Sequence, residues 1–126
     1  MNKQTVSTPN APAAIGPYSQ GVKFGNLIFT SGQLPLNPQN GELVADIEGA
    51  TKQSLDNIKA ILESAGTSMD KIVKTVVFLR DMNDFAAMNA IYATYFPSNP
   101  PARSAVQVAR LPKDAILEIE AIALAE

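Results

Sequence analysis

The chain contains no cysteine and no histidine. Without cysteine there is no disulfide, no thiol nucleophile and no thiolate metal site. Without histidine the commonest transition-metal ligand is missing, as is the side chain most often used for proton transfer near neutral pH. Charge of one sign is nowhere concentrated: 10 Lys and Arg are scattered among 12 Asp and Glu, the net charge is −2 and the pI about 5.1. Tight binding to a phosphate backbone needs a clustered basic surface that releases counterions, so nucleic acid is not an expected partner. No apolar run approaches the ~20 residues of a membrane-spanning helix, and residues 1–14 lack a cationic stretch followed by an apolar core. The expectation is a soluble cytoplasmic protein with no membrane partner.

What is present suffices for one core. Of 126 residues, 46% are hydrophobic, enough to bury roughly two thirds of the unfolded surface. No linker, repeat or low-complexity segment divides 1–126, which reads as a single domain. Residues 1–17, with Pro9, Pro12, Gly16 and Pro17, are expected to form an extended or turning lead-in. Two short strands, 20–24 and 27–31, flank a tight Gly25-Asn26 turn, and Asn40-Gly41 marks a second turn. Over 46–65 the apolar residues Ile47, Ala50, Leu55, Ile58, Ile61, Leu62 and Ala65 follow the spacing of an amphipathic helix, with Asp46 as N-cap and Gly66 as stop.

Residues 71–79 are rich in β-branched side chains with little polar alternation, which predicts a central strand covered on both faces. Asp81 or Asn83 is then expected to cap a second helix running to about Phe96, its apolar stripe formed by Phe85, Met88, Ile91, Tyr92 and Tyr95. Residues 103–109 and 116–124 complete the pattern as strands joined around 111–114. The order predicts an α+β fold, a single mixed β-sheet with two helices on one face. If its other face is as apolar as Val73, Val77, Val106 and Val108 suggest, self-association would bury it, so an oligomer is expected.

Arg103 leaves a Pro-rich turn (Pro97, Pro100, Pro101) among small residues. A planar guanidinium matches a carboxylate in two parallel charge-assisted bonds, which makes Arg103 a candidate anchor for a small organic acid. An arginine paired inside its own chain, or snorkelling to solvent, is the equal alternative. Glu118 and Glu120, two apart on a strand, point to one face with Ile116 and Ile122. If 111–114 is a four-residue hairpin loop, Gln107 faces Glu118, Ala105 faces Glu120, and Arg103 joins the carboxylate face. One glutamate then belongs to a structural ion pair, or one orients or deprotonates a water. Ser31, in Ser31-Gly32-Gln33, lacks a histidine to activate it and reads as a hydrogen-bond donor, not a nucleophile. Tyr18 after Gly16-Pro17 either plugs a core edge or covers a small site. Asn89, flanking the second helix's stripe, bonds nearby backbone or faces a ligand or neighbouring subunit.

Ala-Pro-Ala-Ala-Ile-Gly-Pro-Tyr-Ser-Gln (11–20), Thr30-Ser31-Gly32-Gln33, Pro101-Ala102-Arg103-Ser104, Val-Ala-Arg-Leu-Pro-Lys-Asp (108–114) and Leu-Glu-Ile-Glu (117–120) together resemble the RidA family of reactive intermediate/imine deaminases. The resemblance runs from about Ala11 to Leu124. It implies a chorismate-mutase-like fold assembled as a homotrimer, with sheets inside, helices outside and sites between subunits. The implied reaction is cofactor-free hydrolysis of 2-aminoacrylate or 2-iminobutanoate to a 2-keto acid and ammonia. By motif position Arg103 would bind the substrate carboxylate, Glu118 would attend the attacking water, Ser31 and Tyr18 would be pocket hydroxyls, and Asn89 a further lining residue. Ala105 stands where many relatives carry cysteine, so no thiol-dependent behaviour is carried over. Two other readings stay open: a non-enzymatic module that senses keto acids, and the RNA cleavage credited to some relatives, which the missing histidine and acidic pI oppose.

Overall fold

The computed structural model describes residues 2–126; Met1, the first residue of the expected lead-in, lies outside them. The lead-in contains a short strand, β1 (Gln4–Val6), which pairs antiparallel with β2 (Gly21–Phe24). Three residues are too few to show alternation, so the sequence carried no signal for it. Gly25, at a φ of +60°, turns β2 into β3 (Leu27–Thr30), a positive φ that glycine adopts without steric cost.

Helix α1 (Ile47–Ser64) begins where expected. Asp46 accepts a 2.8 Å hydrogen bond from Gly49 N, a cap contributing about 0.5–2 kcal/mol, and Gly66 leaves the helix at a φ of +87°. Ala50, Leu55, Ile58, Ile61 and Leu62 are fully buried. The same face also buries Ser54 and Asn57, which no hydrophobic pattern picks out; they bond backbone carbonyls of Gln33, Leu34 and Leu36. Strand β4 (Ile72–Leu79) follows, then a one-turn 3₁₀ segment capped by Asp81, and helix α2 (Phe85–Tyr95). Strands β5 (Ala102–Gln107) and β6 (Leu117–Leu124) end the fold.

The sheet order is β1-β2-β3-β6-β4-β5, antiparallel except for the parallel β4–β5 pair. The expected hairpin between β5 and β6 does not form. A strand, a helix and a strand in succession make parallel neighbours, so β5 lies along one edge of β4, and the chain then crosses so that β6 pairs with the other edge. This reverses one expectation about the site. Arg103 lies opposite Thr75, itself opposite Ala121, on the helix-covered face; Glu118 shares a row with Phe78 and Val106, and Glu120 with Val76 and Ser104, on the other face. Arg103 is therefore not on the carboxylate face.

Both helices cover one side of the sheet, with Val77, Leu79, Leu117, Ile119 and Ala121 in the core beneath them. Val77, expected on the open face, is on the covered one, since it pairs with Ile119. The open face is nonetheless apolar: Phe24, Phe29 and Val106 stand exposed on it, and Val73 is exposed at a bulge in β4. Within one chain β4 is thus covered on one face only. No helix among the described residues is long and apolar enough to cross a membrane.

Candidate functional site

Two clefts carry the residues singled out by the sequence, and they have no lining residue in common. The first, about 590 Å³, is lined by Tyr18, Ser31, Gly32 and Glu118, with Lys113 at its rim. Its walls are the strap that follows β1, the segment that follows β3, and the turn before β6. The second, about 400 Å³, is lined by Arg103 and Asn89 beside Tyr92 and Phe96.

In the first cleft the segment after β3 is stitched to β6 by reciprocal Gln33–Ile119 backbone bonds of 2.8 and 3.2 Å. That contact brings Gly32 onto the Glu118 side chain. A Cβ at position 32 would lie 2.7 Å from Glu118 Oε2 and 2.8 Å from its Cδ, so only glycine admits the carboxylate here. Burial, and after it the charge of Glu120, pushes the Glu118 carboxyl above the ordinary carboxylate range. Neither glutamate forms an ion pair among the described residues; the two pairs there, Lys52–Asp56 and Arg110–Asp114, are exposed. The alternative that placed one glutamate in a structural ion pair is therefore not realised among the described residues.

The hydroxyls are committed unequally. Ser31 Oγ donates to Ser19 O at 2.6 Å, so its proton is used internally and it offers the cleft an acceptor, not the donor expected. Tyr18 is 48% exposed and does not plug a core edge; its hydroxyl accepts from Ile15 N at 3.4 Å and donates to no partner among the described residues. The Gly32 N–H takes part in no hydrogen bond among the described residues. Lys113 and Asp114 both adopt left-handed backbone, at φ of 59° and 55°, a cost of the kind stored near functional sites. Arg80 Nη1, bonded to Asp114 O at 3.0 Å, and Arg110 Nε, bonded to Asp114 Oδ1 at 2.9 Å, brace that turn.

In the second cleft Arg103 is oriented by three side chains of α2. Its Nη1 donates to Asn89 Oδ1 at 2.6 Å, and its guanidinium carbon sits 4.8 Å from the Tyr92 ring centre and 5.4 Å from that of Phe85. Tyr92 is fixed in turn by a buried 2.7 Å bond to Thr75 Oγ1, and burial pushes its phenol up. Asn89 is exposed, and its partner is Arg103, not nearby backbone. One of the five guanidinium donors is spent on Asn89, and the others have no hydrogen-bond partner among the described residues. Sequence reasoning placed Phe85 and Tyr92 in the core stripe and missed this cradle. The signal was the spacing 85, 89, 92, one helix face.

The sequence pattern of the family described as Endoribonuclease L-PSP matches residues 8–125. The chain belongs to this family, which includes the RidA and YjgF proteins. It is 58% identical over 124 residues, 96% of this chain and 97% of the other, to the 2-iminobutanoate/2-iminopropanoate deaminase of Escherichia coli K12. Its structure is similar to that of the E. coli YjgF gene product, with a TM-score of 0.92 and 56% identity over 98% of this chain and 99% of that one. It is also similar to E. coli TdcF with bound serine, with a TM-score of 0.93 and 52% identity over 96% and 98% of the two chains.

Proposed function

We propose that the chain is an imine deaminase. It hydrolyses 2-iminobutanoate and 2-iminopropanoate, the latter arising from 2-aminoacrylate by tautomerisation, to 2-keto acids and ammonia. Water adds to the imine carbon, its proton passes to Glu118, and the nitrogen leaves as ammonia after protonation. Free imines already hydrolyse in water, so holding the acid and presenting the water is sufficient. Orientation and proton transfer supply the acceleration, the latter typically ~10²–10⁴-fold. The observation that carries this reading is Glu118 pressed onto Gly32, a half-buried carboxylate with a raised pKa in a cleft that also offers a phenol and a backbone N–H. The extensive similarity to a protein named a deaminase supports it, as does the serine held by TdcF, a small amino acid with a carboxylate.

The same reading includes a homotrimer with sites between subunits. Arg103 and Glu118 lie on opposite faces of one sheet and in different clefts, which supports a site that takes one residue from each of two copies. The exposed apolar side chains on the open face supply the surface for that meeting. A solution mass three times the 13.4 kDa of one chain is the expected result by light scattering.

Release of 2-keto acid from a serine or threonine dehydratase, followed with and without the protein, tests the activity. Acceleration beyond spontaneous hydrolysis is expected. Binding of 2-oxobutanoate with no acceleration would instead establish the non-enzymatic sensor. Gly32→Ala gives a sharper check. The group its methyl displaces is the end of a flexible side chain, so the unfolding midpoint should shift little. Displacing the carboxylate should cost about 10²-fold in activity. Full activity in that variant would remove Glu118 from the chemistry.

A further inference from the structure

The strap 8–18 forms one wall of the Glu118 cleft through Pro12, Ala13, Ile15 and Tyr18. Its attachment to the rest of the fold is unusually concentrated. Among the described residues, every hydrogen bond leaving 8–18 ends on one side chain, that of Gln20. Gln20 Oε1 accepts from Thr8 N at 2.7 Å, and Nε2 donates to the carbonyls of Thr8, Ala11 and Pro12 at 3.1, 3.2 and 2.8 Å. The other bonds of the strap are internal to it, Asn10 N to Thr8 Oγ1, Ile15 N to Tyr18 OH and Tyr18 N to Gly16 O. The facing wall is held quite differently, by Ser54 and Asn57 of α1 and by the Gln33–Ile119 backbone bonds.

We propose that Gln20 is a positioning residue, a buried amide latch that sets the strap over the cleft and thereby sets ligand affinity without touching the ligand. This rests on the cleft being the acid-binding site proposed above. Gln20 is only 5% exposed, and Thr8 and Ala11 are buried beside it. Removing the amide would leave a buried N–H and three carbonyls unpaired, and leaving such groups dry costs more than letting the strap lift into water. The sheet does not depend on the latch. β1 pairs with β2 through backbone atoms, and Ser31 N bonds the backbone carbonyl of Gln20, which any residue supplies.

The test compares the full-length wild type with Gln20→Met and Gln20→Glu, reading amide exchange protection along the chain and 2-oxobutanoate binding by calorimetry. In Gln20→Met, residues 8–18 should lose protection while β4 and β6 keep theirs, and binding should weaken about 10-fold or more, the equivalent of one lost buried hydrogen bond. Gln20→Glu should match it at pH 8, where an ionised carboxylate faces three carbonyls and donates nothing. At pH 5, where burial against three carbonyls favours the protonated acid, one donor is restored, and binding should recover in Gln20→Glu but not in Gln20→Met. An unloosened strap, a loosened strap with wild-type affinity, or loss of protection in β4 and β6 as well would each overturn the latch. A wild type that binds no 2-oxobutanoate would sink the acid-cleft reading instead, while the exchange comparison would still decide whether Gln20 holds the strap.

Discussion

Arg103→Ala should lower kcat/KM for 2-iminobutanoate by about 10²–10⁴-fold, the loss of two charge-assisted bonds at about 1.5–3 kcal/mol each. A substrate of so few atoms has no second anchor of comparable strength. The fold should survive, because β5 is an edge strand and Arg103 makes no ion pair with any carboxylate of its own chain among the described residues. Arg103→Lys should recover only part of the loss, since an ammonium keeps the charge but not the fork, and its fit in the Phe85–Tyr92 cradle is poorer. If the site lies between subunits, mixing Arg103→Ala chains with Glu118→Gln chains should restore activity. Some clefts would then take their guanidinium from one variant and their carboxylate from the other. Mixed assemblies with no recovered activity would show that Arg103 and Glu118 act from one chain. Retained hydrolysis in Arg103→Ala alone would remove the anchor altogether.

The mixing experiment matters because the sequence singled out both residues but misplaced one of them. Helix α1 was legible since its caps, its stripe and its length agree: Asp46, Gly66 and the Leu55–Ile58–Leu62 spacing all point the same way. The expected hairpin at 111–114 is absent because neighbours in sequence need not be neighbours in the sheet. The competing pattern, strand, helix, strand over 72–107, dictates that β5 be parallel to β4 and leaves β6 to take β4's other edge. A period-two argument fixes which residues of one strand share a face, as it did for Glu118 and Glu120. It says nothing of which face a different strand presents, and there Arg103 was lost. Gln20, Ser54 and Asn57 were invisible for another reason. Each is a polar residue buried to satisfy loop backbone, and loop paths leave no periodic trace.

Glu118→Gln should separate activity from stability in opposite directions. As an acceptor that cannot take a proton, glutamine forfeits the water's deprotonation, a loss of about 10²–10⁴-fold in turnover, while assembly should persist because shape and size are kept. The stability sign follows from the raised pKa, whose first cause is burial and second the charge of Glu120. A carboxyl that titrates higher in the folded state than in the unfolded one binds more protons when folded. Stability is therefore lost as pH rises from the ordinary carboxylate range through the raised value. Above the raised value the wild type carries that ionised, desolvated group and the variant does not, so Glu118→Gln should there unfold at a higher denaturant concentration. The gap should close as pH falls below the ordinary carboxylate range. The wild-type activity, corrected for spontaneous hydrolysis, should decline on the acid side at a pH above that range, because the base must be ionised. Glu120→Gln removes the like charge and should move that acid limb to lower pH while leaving the plateau rate nearly intact. An inactive Glu120→Gln beside an active Glu118→Gln would exchange their roles, and an acid limb unmoved by Glu120→Gln would leave burial as the whole cause of the shift.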